Sequence, residues 1–559
     1  MVYHIIFVIA YIFFAAFFLN QPVEAPLGLY CMPVAVYALL YAASFPAARM
    51  TGRKVKDVFR GFSPALAAFL VLFSAPFAVK ADIPDPHNFL LRKLELTAAA
   101  GYIFYLIVLT VKFLHSMKDS EGGIIKEKFR NIVIFFFVFY FALSLWFNYA
   151  NKPVGDEPSY LITAHSIVFD RDLDLKNNYE NRDYKKFYDR ELKPHEININ
   201  GKLYSYHPVL FPAVISPFYL AAGRAGVTFF INLLAALICG LVYLLCARVF
   251  KEKSAVITSL LTGLSLPLLL FSNQVCTETL SGVLILGSFV IILFYREKFA
   301  LLCVSAALVL WAHPRNIPLW GILCLLAVIE YRREIKKAAV FAGTQLLSAA
   351  MLFTFNFMIF GKFIPRQTQA EIPLSEAFKI NITGMLGLFF DQEFGMLIYT
   401  PVFMLALAGA FFLYKKSRKV FYYSFFLFIP YFIMISSWLD WRGGGGSSPR
   451  FFVPVIFFFA FFTGAALDAV RDKASRVVFT ALIAAGFLYS AVIMLVPWFR
   501  WNKGAGDNWV LKLISEAANT DFTALFPSLW AAPESSLITT AVWVVIAIAV
   551  NIFIVLRNR

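Results

Sequence analysis

Charge is what this sequence has least of. Of its 559 residues only 15% are Asp, Glu, Lys or Arg, whereas 60% are hydrophobic and 18% aromatic. Soluble globular domains carry about 25% charged and about 45–50% apolar residues, so that class is excluded and one bilayer-embedded body is expected. Cysteine is also scarce. Cys31, Cys239, Cys246, Cys276, Cys303 and Cys324 lie in or beside apolar runs without metal-ligand spacing, which reads as helix packing and not as a disulfide framework or a zinc site. The opening MVYHIIFVIAYIFFAAFFLN lacks a basic segment and a small-residue cleavage site, so a retained helix is expected in place of a signal peptide. No internal repeat is visible.

What is present is a series of apolar runs. A spanning helix needs about 20 apolar residues. Candidates fall near 4–20, 28–45, 62–80, 96–114 and 131–149, then near 227–249, 254–272, 278–295, 299–313, 316–330 and 338–360, and finally near 395–414, 420–438, 450–468, 477–497 and 537–556. That predicts about 14–16 spans, the lower figure applying if the short pair at 299–330 only dips into the bilayer. The fold class expected is an all-α polytopic membrane protein with a mixed α/β outer loop.

The net charge of +16 invites a nucleic-acid partner, but its placement argues otherwise. Arg49–Arg60, Lys112–Arg130, Arg248/Lys251/Lys253, Arg296/Lys298, Arg332–Lys337, Lys415–Lys419 and Arg471–Arg476 all fall on one side in this count. NQPVEAP and NQVCTET, on the other side, carry no Lys or Arg. By the positive-inside rule both termini are cytoplasmic, and no nucleic-acid partner is expected. The outer face then receives the segments 150–207, HPRN, 361–394, WLDWRGGGGSSPR and 498–536.

GDEPSY opens the first outer loop. Gly155 and Pro158 bracket a sharp turn, YLITAHSIV has apolar residues at helical spacing and reads as an amphipathic surface helix, and HEININGKLYSYHP reads as a β-hairpin turning at Asn200-Gly201. VLFPAVISPFYLAAG reads as a re-entrant or interfacial segment. A carboxylate beside hydrocarbon is expected to have a raised pKa, and a general base needs a pKa near working pH. Alternatively, Asp156 caps the helix and Glu157 faces water.

A transmembrane helix followed by an Asp-Glu pair at the start of a large outer loop resembles the GT-C class of glycosyltransferases, which includes protein O-mannosyltransferases and lipid A aminoarabinose transferases. GKLYSYHPVLFPAVISPFYLAAG is similar to the G-x-x-Y-S-x-H-P-x-G-x-P-L-x-x-P-x-Y pattern of bacterial relatives, with Leu210 where that pattern has Gly. FFDQEFGMLIYTPVFMLALAG and WLDWRGGGGSSPRFFVPV look like two further blocks. The resemblance covers about residues 131–470 and makes that region the catalytic membrane core, with 1–130 an N-terminal extension of about four helices and 471–559 C-terminal helices. It implies a GT-C fold and a hexosyl- or pentosyltransferase of the inner or plasma membrane. The donor would be a polyprenyl-phosphate-linked sugar, transferred with inversion to an extracytoplasmic glycan, lipid or protein acceptor. Asp156 would be the base on the acceptor hydroxyl, with Glu157 orienting.

The donor phosphate calls for cations. Arg450 begins an apolar helix, where an unpaired charge is expensive, and its planar fork suits a phosphate. Lys202, His207, Arg315 and Arg442 are further candidates on the same face, each of them equally a headgroup-level anchor. Gly443 to Gly446 lack the Lys-Ser/Thr ending of a P-loop and read as a mobile lid or a backbone close to the donor. Tyr160, Tyr204, Trp441 and Trp438 are candidate sugar-stacking surfaces, although aromatic belts put such rings at the same depth. Asp391 and Gln392, with Glu393, and also Asp172 and Asp174, are open between acceptor or sugar binding and holding a divalent ion. No obligatory cofactor or metal is expected, a divalent cation remaining possible. The alternatives are a ligase moving an oligosaccharide from a diphosphate lipid, and a lipid-linked sugar flippase. Transporters show internal repeats and midplane charges, which this sequence lacks.

Overall fold

Aromatic and branched apolar residues without an internal proline give a 26-residue helix, α1 (Ile125–Ala150), whose Phe136, Tyr140 and Phe147 are buried. The computed structural model describes residues 125–363, 379–502 and 504–559, which belong to one compact unit, Ile124–Arg559. The expected helices at 4–20, 28–45, 62–80 and 96–114, Cys31 and the first basic clusters lie outside the described residues. The cysteines among the described residues are all free.

Chain order continues with α2 (Glu157–Phe169), a hairpin of β1 (Ile197–Ile199) and β2 (Lys202–Tyr204), α3 (Leu210–Ala247), α4 (Glu252–Leu264), α5 (Glu278–Phe294), α6 (Phe299–Ala312), α7 (Ile317–Tyr331) and α8 (Ile335–Phe360). Then come α9 (Ile382–Phe390), α10 (Ala406–Lys416), α11 (Arg418–Ser437), α12 (Ile456–Ala469), α13 (Lys473–Leu495), α14 (Trp509–Ala518) and α15 (Leu537–Arg557). Among the described residues, seven helical stretches are long and apolar enough to cross a membrane: 125–148, 210–247, 335–360, 418–437, 450–469, 473–494 and 537–557.

Two expected spans are interrupted. The run at 254–272 ends its helix at Leu264 and resumes only over Leu268–Phe271, and the run at 395–414 breaks at Thr400. Pro267 and Pro401 follow those breaks, and a proline disfavours helix at the residue before it. The helix α12 is almost wholly buried. It approaches α10 so closely that a Cβ at Gly409 would collide with the Phe462 carbonyl, which is why only glycine serves there.

The segment 150–207 is an ordered cap. Asn200 and Gly201 both have positive φ (52° and 85°), the type I′ geometry that fits the twist of a two-residue hairpin, and Ile199 pairs with Lys202. The helix α2 differs from the expected surface helix: Tyr160 to Ser166 are buried throughout, because it packs Tyr160, Leu161 and Ala164 against Phe211, Ile215 and Tyr219 of α3. VLFPAVISPFYLAAG likewise forms the first part of α3, which turns at Ala222 and Gly223 (φ 55°, ψ −140°) before running on to Ala247.

The basic clusters meet at one end of the bundle. Lys128 pairs with Glu252, Lys416 with Asp468, to which Lys251 also donates from its backbone, Arg296 with Glu334 and Lys419 with Glu330. A helix as long as α1 rises about 39 Å at about 1.5 Å per residue, so Lys128 and the turn at Gly155 lie at opposite ends of it.

Candidate active site

At that opposite end, Gly155 (φ 60°) reverses the chain and α2 begins. Pro158 stands in its first turn, where its missing N–H is not needed. Asp156 holds the N-cap position but makes no side-chain cap bond, and Glu157 is 1% exposed. Neither residue does what a helix cap and a water-facing neighbour would do.

Asp156 instead turns toward Arg450. The Arg450 Nη1 lies 2.7 Å from Asp156 Oδ2, and its Nε donates to Glu278 Oε1 at 2.6 Å. Glu278, first residue of α5 and 1% exposed, also faces Arg315 at 3.5 Å. The Arg315 guanidinium lies 3.7 Å from the centre of the Phe451 ring. Arg315 comes from the HPRN turn, tied to α5 by the amide of Asn316 donating to Ser281 at 2.9 Å. Two carboxylates and two guanidiniums thus interlock at the ends of four segments.

His207 and Tyr160 complete the cluster. The His207 ring lies tilted against Tyr160 (4.6 Å) and against Tyr206 (4.1 Å), and its Nε2 is 3.9 Å from Asp156 Oδ1. Burial drives the His207 pKa down to about 4 against the pull of Asp156, so the ring is neutral at neutral pH. Burial would push the Asp156 carboxyl up, but Arg450 first, then His207 and Arg315, hold it down at about 2. The expected rise is therefore reversed: a carboxylate flanked by guanidiniums stays ionised. The Tyr160 hydroxyl, His207 Nε2 and Glu278 Oε2 are buried and find no hydrogen-bond partner among the described residues.

A pocket opens beside this cluster. Thr163, Tyr204, Tyr206 and His207 form its loop side, and Trp311, Pro314, Phe355 and Phe360 its helix side. Tyr204 therefore adjoins the cluster. Lys202 does not: it is exposed on β2.

The remaining sequence candidates gather elsewhere. Asp391 accepts from the backbone of Glu393 (2.8 Å), Phe394 (2.9 Å) and Trp530 (2.9 Å). Glu393 accepts from Gly504 (3.1 Å) and Gly506 (2.7 Å), and Gln392 from its backbone donates to Pro527 at 2.8 Å. These residues staple the 498–536 loop. Burial raises the Asp391 pKa to about 6 against the three backbone N–H groups. Arg442 pairs with Asp440 at 2.7 Å and lies 4.0 Å from the Trp530 ring centre. Trp441 is buried against Phe394 and Trp530, which leaves it no open face for a sugar. Asp172 and Asp174 accept from Ser166 and from the backbone of Asp174, Lys176 and Leu203, so their carboxylates brace the hairpin.

The glycine run also differs from a mobile lid. Asn502 donates from its backbone to the Gly445 carbonyl at 2.7 Å, Ser447 to that of Arg500 at 2.7 Å, and Gly446 bridges Trp501. Glu278 escapes the sequence reading because NQVCTET shows no cation. The signal that singles out Arg450, one charge at the mouth of an apolar helix, would have found it.

No family model and no curated protein matches this chain. The crystal structure of ArnT from Cupriavidus metallidurans bound to undecaprenyl phosphate is similar to it at 12% sequence identity, with a TM-score of 0.42 over 64% of this chain and 76% of that one.

Proposed function

We propose that the chain is a membrane glycosyltransferase of the GT-C class. It would take a monosaccharide from a polyprenyl-phosphate carrier and pass it, with inversion, to a hydroxyl of an extracytoplasmic glycan, lipid or protein. The reading places the catalytic core at 131–470, both termini in the cytoplasm and the Asp156 cluster on the outer face. One observation carries it: an ionised carboxylate paired with an arginine fork lies beside a pocket walled largely by apolar side chains. A lipid-linked anionic donor needs that combination, with hydrocarbon to receive the lipid and guanidinium to receive the phosphate.

In this scheme Arg450 and Arg315 grip the donor phosphate. Arg450 is then drawn from Asp156, whose low pKa depends chiefly on it, and the carboxylate becomes a stronger base as the donor docks. Asp156 accepts the acceptor O–H proton, the acceptor oxygen forms its bond to the anomeric carbon from the face opposite the phosphate, and the carbon–oxygen bond to phosphate breaks. The leaving phosphate keeps the electron pair against the two guanidiniums, an electrostatic contribution of the kind that dominates such transfers. His207, neutral and packed against Tyr160, lines the Oδ1 side of Asp156 without a hydrogen bond to it.

The test is a reconstituted assay in nanodiscs that follows release of polyprenyl phosphate from polyprenyl-phosphate sugars in the presence of candidate acceptors. Turnover by the unmodified chain and a drop of about 10²–10⁴-fold in Asp156→Asn support the reading. Near-normal turnover of Asp156→Asn removes that residue from the mechanism.

A further inference from the structure

Three charged residues around the turn after α1 have no part in that scheme as bases or donor-phosphate ligands. Arg224 faces Glu157 Oε2 at 3.4 Å and donates through Nη1 to the Asn151 carbonyl at 2.8 Å. Arg500 donates through Nη2 to the next carbonyl, Lys152, at 2.9 Å. The two arginines clasp the 151–152 backbone beside Glu157. Each stands on fixed backbone: Arg224 directly follows the bend at Gly223, and Arg500 belongs to the segment stitched to the glycine run.

Their charges do not balance. Around Arg450, two carboxylates (Asp156, Glu278) face two guanidiniums (Arg450, Arg315). Around Glu157, one carboxylate has two guanidiniums near it, since Arg224 pairs with it and Arg500 is close enough to feel its charge. Arg500 is 2% exposed and, among the described residues, has no carboxylate within ion-pair distance. Among the described residues its Nε and Nη1, and Nε of Arg224, are buried without a hydrogen-bond acceptor. Aromatic faces lie nearby instead, Phe147 at 5.0 Å and Trp501 at 5.6 Å. A buried charge without a partner is costly, and each unmatched buried donor adds to that cost. A planar fork with free N–H groups is suited to a phosphate or carboxylate.

We propose that Arg224 and Arg500 form a second oxyanion site, on the Glu157 side of the Asp156–Glu157 pair, that takes a phosphate or carboxylate group. Which molecule brings that group rests on the transfer reading above. It is either the second phosphate of a diphosphate-linked donor or an acidic group on the acceptor. The chemistry at the arginines is the same for both.

The full chain in detergent is titrated by thermal shift with inorganic phosphate, farnesyl phosphate and farnesyl diphosphate, as unmodified protein and as Arg500→Gln, Arg224→Gln and Arg450→Lys. Inorganic phosphate is expected to stabilise the unmodified protein even with farnesyl phosphate saturating. Arg500→Gln should weaken that phosphate binding by about tenfold or more and leave the affinity for farnesyl phosphate within about twofold. Farnesyl diphosphate binding about tenfold tighter than the monophosphate, with the gain lost in Arg500→Gln, assigns the oxyanion to the donor; no such gain assigns it to the acceptor. Inorganic phosphate that does not bind, or binds equally well to Arg500→Gln, overturns the site. Failure of farnesyl phosphate to bind the unmodified protein counts against the transfer reading and leaves the arginine result to be judged on inorganic phosphate alone. If Arg500→Gln does not fold, Arg224→Gln decides in its place: weakened phosphate binding supports the site and unchanged binding overturns it.

Discussion

Arg450 Nη1 lies 2.7 Å from Asp156 Oδ2, joining the start of a buried helical stretch to the start of the 150–207 segment. The same guanidinium reaches Glu278 through Nε at 2.6 Å. Lysine preserves the charge at this position but has no fork to serve both carboxylates. Since a charge-assisted hydrogen bond contributes about 1.5–3 kcal/mol, Arg450→Lys is expected to weaken donor use by roughly tenfold to a hundredfold, and Arg450→Ala further. A donor titration of the three proteins checks this; identical donor dependence would make Arg450 a helix-end anchor.

Glu278 competes with Asp156 for that arginine. Glu278→Gln frees Arg450 to pair fully with Asp156, which lowers its basicity further, and leaves more positive charge for a phosphate. The expected result is a fall in kcat of about tenfold with donor KM unchanged or lowered. A rise in donor KM at constant kcat would show that Glu278 acts in binding.

His207 sets an acid limit on stability. Its folded pKa of about 4 lies below the ordinary histidine value, so the unfolded chain binds the extra proton first as pH falls. The stability tied to the neutral ring is complete above about pH 6.5 and is lost down to about pH 4, at most about 3.5 kcal/mol at about 1.4 kcal/mol per pKa unit. Melting temperatures at pH 7 and pH 4.5 should therefore differ less in His207→Asn than in the unmodified protein. Equal acid sensitivity in both would assign the effect to other groups.

Asp391 works with the opposite sign. Its folded pKa of about 6 is raised, so its contribution is fullest below about pH 4 and declines as pH rises to about 6. Asp391→Asn replaces one acceptor oxygen with an amide facing the Trp530 N–H, at a cost of about 1–3 kcal/mol near neutral pH. The 504–536 loop should be cleaved faster by protease in this variant, with farnesyl phosphate binding retained. Unchanged cleavage would mean that the remaining bonds hold the loop.

The elements that a sequence displays locally are legible in it. Asn200-Gly201 announces its turn through backbone conformation, and the Asp156–Glu157 pair stands out because an acidic dipeptide beside an aromatic helix is rare in so apolar a chain. The roles of Asp391 and Glu393 are hidden, because the partners that tie them to the 504–536 loop are N–H groups more than a hundred positions away and a backbone donor has no residue signature. The pKa of Asp156 is hidden for a related reason. Its neighbours in the chain suggest a raised value, while Arg450 and Arg315, which lower it, arrive from distant parts of the chain. The buried character of α2 is equally invisible along the chain, because it depends on α3 folding back over it.

The helix-side wall of the pocket has a consequence for how activity must be measured. The helix α8 supplies Phe355 and Phe360 to that wall and is mostly exposed along its length, so in a bilayer its outer face would put hydrocarbon behind the lining. A ligand that enters between such helices is already dissolved in the bilayer, and its supply is counted per lipid molecule and not per litre. Adding inert lipid or detergent at a fixed donor-to-protein ratio should slow turnover by simple dilution in the plane, even when the concentration in the tube is unchanged.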